Sequence, residues 1–419
     1  MPRLGGRSRA ESPGKLPALH RHAGLSLGIL FGRDLILLRI AINAAFLGAR
    51  PSGLDTYARS VIDTLSRSGH ETFIYTPERM GGNGNGMTKW RRTPSSLRAE
   101  SGAMGNILRA AVWSQTALPA RVLRDRAQVL LCTVSEGMLV PVCPQVVVVH
   151  DLFPLFFPDL YPRWRHYFRY ILPRVLQASR CVMADSEHTK RDLIRCLRVP
   201  EEKISVVYPW VDPLFFSEDP GVPVEGHGPG PYFLFVGRSS PHKNLEAVIR
   251  AFAVVCQDLP HRLVCVLGYT ASADREYGSQ MLSLAAQLGV RDRLQIYSGI
   301  ARSQVLFLYR HATALLLLSK YEGFGYPPLE AMAVGTPAIV SDSTSLAEVA
   351  GPAALCVPNT EPDGAAEAMK RLACDPAYRA ELAEAGKAHA RQFSRERSGC
   401  LILSVLERCA KPGHTRLPS

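Results

Sequence analysis

From residue 35 onward, short apolar runs alternate with longer amphipathic segments. The runs at 35–45, 71–75, 146–149, 204–208, 232–236, 262–267, 294–297, 315–319 and 338–340 are rich in Val, Ile and Leu and predict strands. Their near-continuous apolar character, rather than strict alternation, points to parallel strands covered on both faces. Residues 56–66, 162–179, 245–254, 281–288, 303–309, 365–372 and 377–392 place apolar side chains at helical spacing. A further helix opens at 184–187, with Asp185 or Ser186 as its N-cap. Strand and helix in turn is the pattern of doubly wound α/β sheets. The segment 220–231 is dense in Pro and Gly and reads as a linker between a first domain, 35–219, and a second, 232–394.

One stretch, 315–335, organises the second half. An apolar run ends at Ser319, Tyr321-Glu322-Gly323-Phe324-Gly325 follows, and Pro327-Pro328 opens a helix carrying Glu330. Proline suits the first helical turn, where its missing N–H would have no partner anyway. Glycines let backbone amides approach a ligand, and a helix N-terminus favours anions. Two acids flanking such a loop suit sugar hydroxyls better than phosphates.

Charge and cysteine usage narrow the partners. The formal net charge of +12 and pI near 9.3 call for an anionic partner: nucleic acid, an anionic membrane leaflet or a diphosphate. No nucleic-acid-binding module is readable, which ranks that partner last. The ten cysteines form no C-x-x-C pair, which argues against a zinc site or disulfide framework and for a reducing compartment. Residues 1–34 read as a disordered basic extension or as a start codon placed too early. An exported leader is disfavoured because no small-residue cleavage site follows the apolar residues 23–31. No apolar segment reaches the ~18 residues of a membrane span, so a soluble or peripheral protein is expected.

The Glu322–Glu330 spacing, with Gly323-Phe324-Gly325 and Pro327-Pro328 between, resembles the Glu-x7-Glu motif of retaining nucleotide-sugar glycosyltransferases of family 4. The resemblance covers residues 39–407 and is strongest in the second half. It implies an α/β GT-B fold: two doubly wound Rossmann-like domains facing each other across a cleft. It also implies a helix at 395–412 that crosses back to the first domain, with 413–419 as a loose tail. By the same resemblance Arg238 and Lys243, after the strand 232–236, would hold the donor diphosphate. Glu330 would hold ribose hydroxyls. Glu322 would contact the transferred sugar, with the backbone of Gly323, Phe324 and Gly325 beside it, and 343–349 would lie near the nucleotide. Chemistry explains the cations: a departing nucleoside diphosphate gathers negative charge that protein cations must meet when no metal does. No metal and no cofactor beyond the nucleotide sugar is expected.

In the first half, His150-Asp151 ends the strand 146–149, where open α/β sheets place ligands. Resemblance puts His150 near the reacting sugar, as a catalytic hydrogen-bond donor or acceptor, with Asp151, Gly53 and Tyr57 on the acceptor side. For Gly53 a plain tight turn is the competing reading, and for His150 a cap on the next turn. Residues 89–126 are strongly basic, which usually marks a solvated face. Residues 162–179 interleave Arg163, Arg165, Arg169 and Arg174 with aromatics: a core-facing helix with a charged outer face, or a helix resting on anionic lipid headgroups. The chain departs from the family pattern with one glycine at 53 where many members have two, Trp210 where a glycine is common, and Arg395 where Trp is common. The implied activity is retaining transfer of a hexose, mannose from GDP-mannose favoured, to a saccharide or lipid-linked acceptor in cell-surface polysaccharide synthesis. It would occur in the cytoplasm or peripherally on the inner membrane's cytoplasmic face. A GT-B-type epimerase or phosphorylase, or an inactive donor-binding scaffold, are the alternatives.

Overall fold

A computed structural model describes residues 37–48, 53–79, 86–97, 104–268 and 272–411. The expected basic extension at 1–34, most of the glycine-rich loop at 81–86 and the tail at 413–419 lie outside the described residues. The first sheet comprises β1 (Arg39–Asn43), β2 (Glu71–Thr76), β3 (Thr88–Arg92), β4 (Val129–Cys132), β5 (Gln145–Val149), β6 (Cys181–Ala184) and β7 (Ile204–Val206). All its pairings are parallel, in the order β3-β2-β1-β4-β5-β6-β7. The second sheet comprises β8 (Tyr232–Arg238), β9 (Arg262–Gly268), β10 (Leu294–Tyr297), β11 (Ala314–Leu317), β12 (Ala338–Ser341) and β13 (Leu355–Val357). It is also parallel, in the order β10-β9-β8-β11-β12-β13. These are the two doubly wound sheets that the alternation predicts.

Strand side chains alternate between faces, so each buried strand feeds two cores. In the first sheet Ile40, Ile42, Val146 and Val148 pack on one side, while Ala41, Val147 and Val149 pack on the other. Helix α1 (Gly53–Ser66) covers the first of these faces with Tyr57, Val61, Ile62 and Leu65. The last helix, at Arg395–Ala410, follows the second sheet in sequence, yet its Ile402, Val405, Leu406 and Cys409 join that same first-sheet core. Arg395 pins its start, donating to Thr64 Oγ1 at 3.1 Å and pairing with Asp63. An ion pair thus replaces the aromatic packing that a Trp would supply.

Four strands escape the apolar-run reading. β4 and β6 are only four residues long, yet β4 lies at the centre of the first sheet. β3 carries Lys89, Arg91 and Arg92 and is an edge strand whose charges discourage further pairing. Its Arg91 pairs with buried Asp125 at 2.9 Å, so this part of the basic stretch is structural. β13, the opposite edge of the second sheet, has only three residues. The segment 162–179 is interrupted by a π-helical turn at Tyr167–Ile171. Tyr167, Phe168, Leu172, Val175 and Leu176 are buried while the four arginines stay exposed, so the apolar face serves the core.

In both sheets the strand order reverses, between β1 and β4 and between β8 and β11. Ligands of open parallel sheets bind beyond the carboxyl ends of the strands at such a reversal. In the second sheet the segment from β8 to the helix α2 (Leu245–Val255) turns through Asn244, which adopts a left-handed φ of 56°. Its Nδ2 donates to the carbonyls of Leu318 at 3.0 Å and Asn359 at 2.9 Å, tying the β8 and β11 ends together. Asn244→Ala is expected to cost about 2–4 kcal/mol, from two unpaired carbonyls and a disfavoured backbone, measured by urea unfolding.

Candidate active site

The loop after β11 is shaped by its glycines. Gly325 caps helix α3 (Tyr326–Val334) with φ 99°, and an added Cβ would stand 2.3 Å from Leu346 Cδ2. Gly323 is constrained by proximity instead: a Cβ there would lie 1.9 Å from the carbonyl oxygen of His150, in the other sheet's domain. The loop carbonyls are held from two sides. Ser345 Oγ lies 2.9 Å from Glu322 O and 3.0 Å from Phe324 O. From the first domain, Ser186 Oγ donates to Gly323 O at 2.6 Å and Thr189 Oγ1 at 3.2 Å. Amides that open a helix have no partner within it, so the 324–326 backbone is chemically suited to an anion.

Glu322 accepts from Lys243 Nζ at 2.6 Å and from Ser319 Oγ at 2.7 Å. Arg238 directs Nε to both oxygens of Asp274 at 3.1 Å and Nη1 to the Tyr161 hydroxyl of the first domain. Between the cations, His242 is buried beside Phe153, 4.3 Å ring to ring. Burial, then Lys243 and Arg238, depress its pKa to about 2, so it is neutral and adds no charge to the pair. Glu330 stands apart from this group. Tyr309 donates to it at 3.0 Å, and Arg302 lies 3.4 Å away while also pairing with Asp212 at 3.2 Å. Burial raises the Glu330 pKa against the opposing pull of Arg302 and Tyr309.

Across the cleft, His150 Nδ1 lies 2.6 Å from Asp185 Oδ2 and Nε2 lies 2.9 Å from Thr133 O. Both partners are acceptors, and only an imidazolium donates from both nitrogens. Burial by itself would lower the His150 pKa, but Asp185, the Thr133 carbonyl and Asp151 raise it to about 9. Tyr57 stands edge-on to the ring at 4.7 Å. Thus both His150 nitrogens are engaged within the first domain, and its carbonyl, which accepts from Thr189 Oγ1 at 3.3 Å, occupies the space a Cβ at Gly323 would take. Asp151 turns back to accept from Phe153 N at 2.9 Å, and burial raises its pKa. Gly53 begins α1 with φ outside the left-handed region, and a Cβ there would meet nothing within 4 Å among the described residues.

Several residues of this site carry no local signal. Asp185 follows a strand and precedes the N-cap Ser186, so it reads as part of a helix start, although it orients His150. Tyr161 and Asp274 reach Arg238 from distant segments. Tyr321 links the domains by accepting from Leu152 N at 3.1 Å and donating to Asp192 at 2.9 Å. Glu348, in the segment expected near the nucleotide, accepts from Glu187 N at 2.7 Å, His188 N at 2.8 Å and Tyr208 at 2.8 Å. It caps the first-domain helix at Glu187–Leu197 from the second domain, an anion on a helix N-terminus.

The His150 geometry has a measurable consequence. A folded-state pKa raised above the ordinary 6.5 contributes stability that is complete below pH 6.5 and is lost as pH rises through about 9. The amount is about 3 kcal/mol. NMR titration of the His150 ring should give a midpoint near 9, and Asp185→Asn should lower it by at least a unit; a wild-type midpoint below 7 would contradict the assignment.

Residues 51–214 match the family described as Glycosyltransferase Family 4, and residues 224–389 match Glycosyl transferases group 1. The O-antigen chain mannosyltransferase RfbU of Salmonella typhimurium is 32% identical over 213 residues, 51% of this chain and 56% of that protein. The O-antigen chain mannosyltransferase B of Escherichia coli is 27% identical over 263 residues, 60% of this chain and 67% of that protein. The chain therefore aligns with little more than half the length of the first of these relatives. Sucrose-phosphate synthase from Thermosynechococcus elongatus superposes with a TM-score of 0.73 at 18% identity, over 88% of this chain and 98% of that one. The structure of WaaG, a glycosyltransferase involved in lipopolysaccharide biosynthesis, superposes with a TM-score of 0.66 at 17% identity, over 88% and 99%. The fold is GT-B.

Proposed function

We propose, from the premise that the chain belongs to the family 4, group 1 glycosyltransferases, that it transfers a hexose from a nucleoside-diphosphate sugar to an acceptor hydroxyl with retention of configuration. The observation that carries this reading is the gathering of Arg238, Lys243 and Glu322 beyond the strand reversal of the second sheet, with His150 of the first sheet opposite. The donor diphosphate binds Arg238 and Lys243. Lys243 then exchanges its pairing with Glu322 for the diphosphate, which frees Glu322 for the sugar hydroxyls. Glu330, steadied by Tyr309 and Arg302, takes the ribose hydroxyls.

The reaction breaks the bond between the sugar's anomeric carbon and the phosphate oxygen, and forms one from that carbon to the acceptor oxygen on the same face. The acceptor proton passes to the departing phosphate oxygen. The protein's part is to hold both substrates and stabilise the charge that develops on the diphosphate, by cations and amides rather than by a metal. The imidazolium of His150 adds positive charge beside the reacting sugar. Two relatives named as O-antigen mannosyltransferases favour GDP-mannose as donor and a saccharide or lipid-linked acceptor of cell-surface polysaccharide. A cytoplasmic site, peripheral on the inner face of the membrane, suits such an acceptor.

Release of nucleoside diphosphate from a panel of GDP- and UDP-sugars tests the reading. GDP-mannose should be turned over, Glu322→Gln should lower kcat about 100-fold or more, and Glu330→Ala should raise the donor KM about tenfold. Isomerised donor without diphosphate release would favour an epimerase, and sugar phosphate as product a phosphorylase. No turnover of any donor would leave a donor-binding scaffold.

The membrane reading rests on the exposed Arg163, Arg165, Arg169 and Arg174 beside Tyr170, which is 57% exposed. Among the described residues no helix is long and apolar enough to cross a membrane. Cosedimentation with phosphatidylglycerol vesicles should fall at least tenfold in the Arg163→Glu/Arg165→Glu/Arg169→Glu variant, at about 1 kcal/mol per charge. Equal binding by wild type and variant would refute it.

A further inference from the structure

Arg238, on the donor side, is gripped from both domains. Its Nε points at both oxygens of buried Asp274 at 3.1 Å, which fixes the plane of the guanidinium. Its Nη1 donates to the hydroxyl of Tyr161, which arrives from the first domain, while its Nη2 donates to no described residue. The guanidinium carbon lies 5.5 Å from the centre of the Tyr161 ring. Phe153 stands edge-on to the same ring at 5.0 Å and packs in turn on His242 at 4.3 Å. The tyrosine is thus wedged between an aromatic of its own domain and a cation of the other.

A phenol hydroxyl has one proton to donate and lone pairs with which to accept. Arg238 uses the accepting side of Tyr161, and the hydroxyl donates to no described residue. Burial raises the Tyr161 pKa against the opposing pull of Arg238, so the proton stays on the oxygen. A hydroxyl polarised by a guanidinium is a stronger donor than an isolated one. Tyr161 is half-buried and the Arg238 side chain is 31% exposed, so an anion in the cleft can reach both. Such an anion meets Nη2 of Arg238 and the Tyr161 proton together, one cation and one neutral donor converging on the same group.

We propose that Tyr161 is a donor-binding residue contributed by the acceptor-side domain, whose hydroxyl donates a hydrogen bond to a phosphate oxygen of the nucleoside diphosphate held on Arg238. The assignment rests on the glycosyltransferase reading above and adds a first-domain ligand to the two cations of the second. Arg238 keeps its hold on Asp274, and the diphosphate enters beside the Arg238–Tyr161 bond rather than in place of it. A bound diphosphate therefore bridges the two domains.

The test uses the full chain, with GDP and UDP as probes in isothermal titration and turnover of the matching donor sugars measured alongside. Tyr161→Phe keeps the ring and its packing and removes only the hydroxyl. For whichever nucleotide binds tighter, its Kd should rise about tenfold or more, the loss of a hydrogen bond to a charged group. Its melting temperature and its unliganded radius of gyration by X-ray scattering should match the wild type, because Ser186, Thr189, Tyr321 and Glu348 still join the domains. An unchanged Kd would overturn the assignment. A lowered Kd would overturn it too, marking Tyr161 as a gate that competes with the diphosphate for Arg238. A raised Kd with an expanded unliganded chain would overturn it in favour of a clamp between the domains. In each of these cases donor turnover by the wild type leaves the glycosyltransferase reading intact. Turnover of no donor, with the nucleotide still bound more tightly by the wild type than by Tyr161→Phe, would support the assignment and remove only the transferase reading. Binding of neither nucleotide by the wild type would remove both.

Discussion

A single carbonyl oxygen, that of His150, occupies the space where a side chain at position 323 would begin. That contact sets how closely the loop after β11 approaches the first sheet. Close contact brings Gly323 O within reach of Ser186 and Thr189. It also lets Tyr321 insert its hydroxyl between Leu152 and Asp192. Glu348 completes the join by capping a helix that belongs to the opposite domain. Each of these bonds joins backbone or side chains across the cleft, and a Cβ at position 323 would collide with the His150 carbonyl between them. A glycine chosen for closeness, rather than for a left-handed turn, is thus the pivot of the site.

Charge is arranged so that Arg238, Lys243, Glu322 and Glu330 each already have a partner. Lys243 and Glu322 neutralise each other, and Arg238 is shared between Asp274 and Tyr161. Pairing in this way offsets the desolvation penalty that each partly buried charge pays. His150 follows another logic. Its two nitrogens meet two acceptors, so the surroundings hold the proton, and the ring acts as a fixed positive charge rather than as a proton carrier near neutral pH. His242 is the counterpart: buried among cations, it stays neutral and serves packing.

Much of the fold was legible because parallel strands and their covering helices write local periods into the chain. Runs such as 232–236 and 262–267 needed no tertiary information, and a helix cap at Asp185 or Ser186 was recognisable from its neighbours, the fold selecting Ser186. The short strands at Val129–Cys132 and Cys181–Ala184 were not, since four apolar residues carry too little pattern to separate a strand from a helix fragment. Arg91 was misleading for a related reason. Its charge marks a solvated surface in sequence, but in the fold it neutralises Asp125.

Local chemistry determined by itself that two βα-repeating halves exist, that a Pro- and Gly-rich segment separates them, and that Arg238, Lys243, Glu322 and Glu330 follow strands where ligands bind. Those properties depend on neighbours within a few residues. Which charges meet, and what they do, was decided only by the tertiary structure. Glu187 and Glu348 are 161 positions apart, and Lys243 and Glu322 are 79 apart. Strand order and domain closure set those distances, and no local period encodes them. The same holds for His150, whose two ring nitrogens meet acceptors only because the fold brings Asp185 and Thr133 to them.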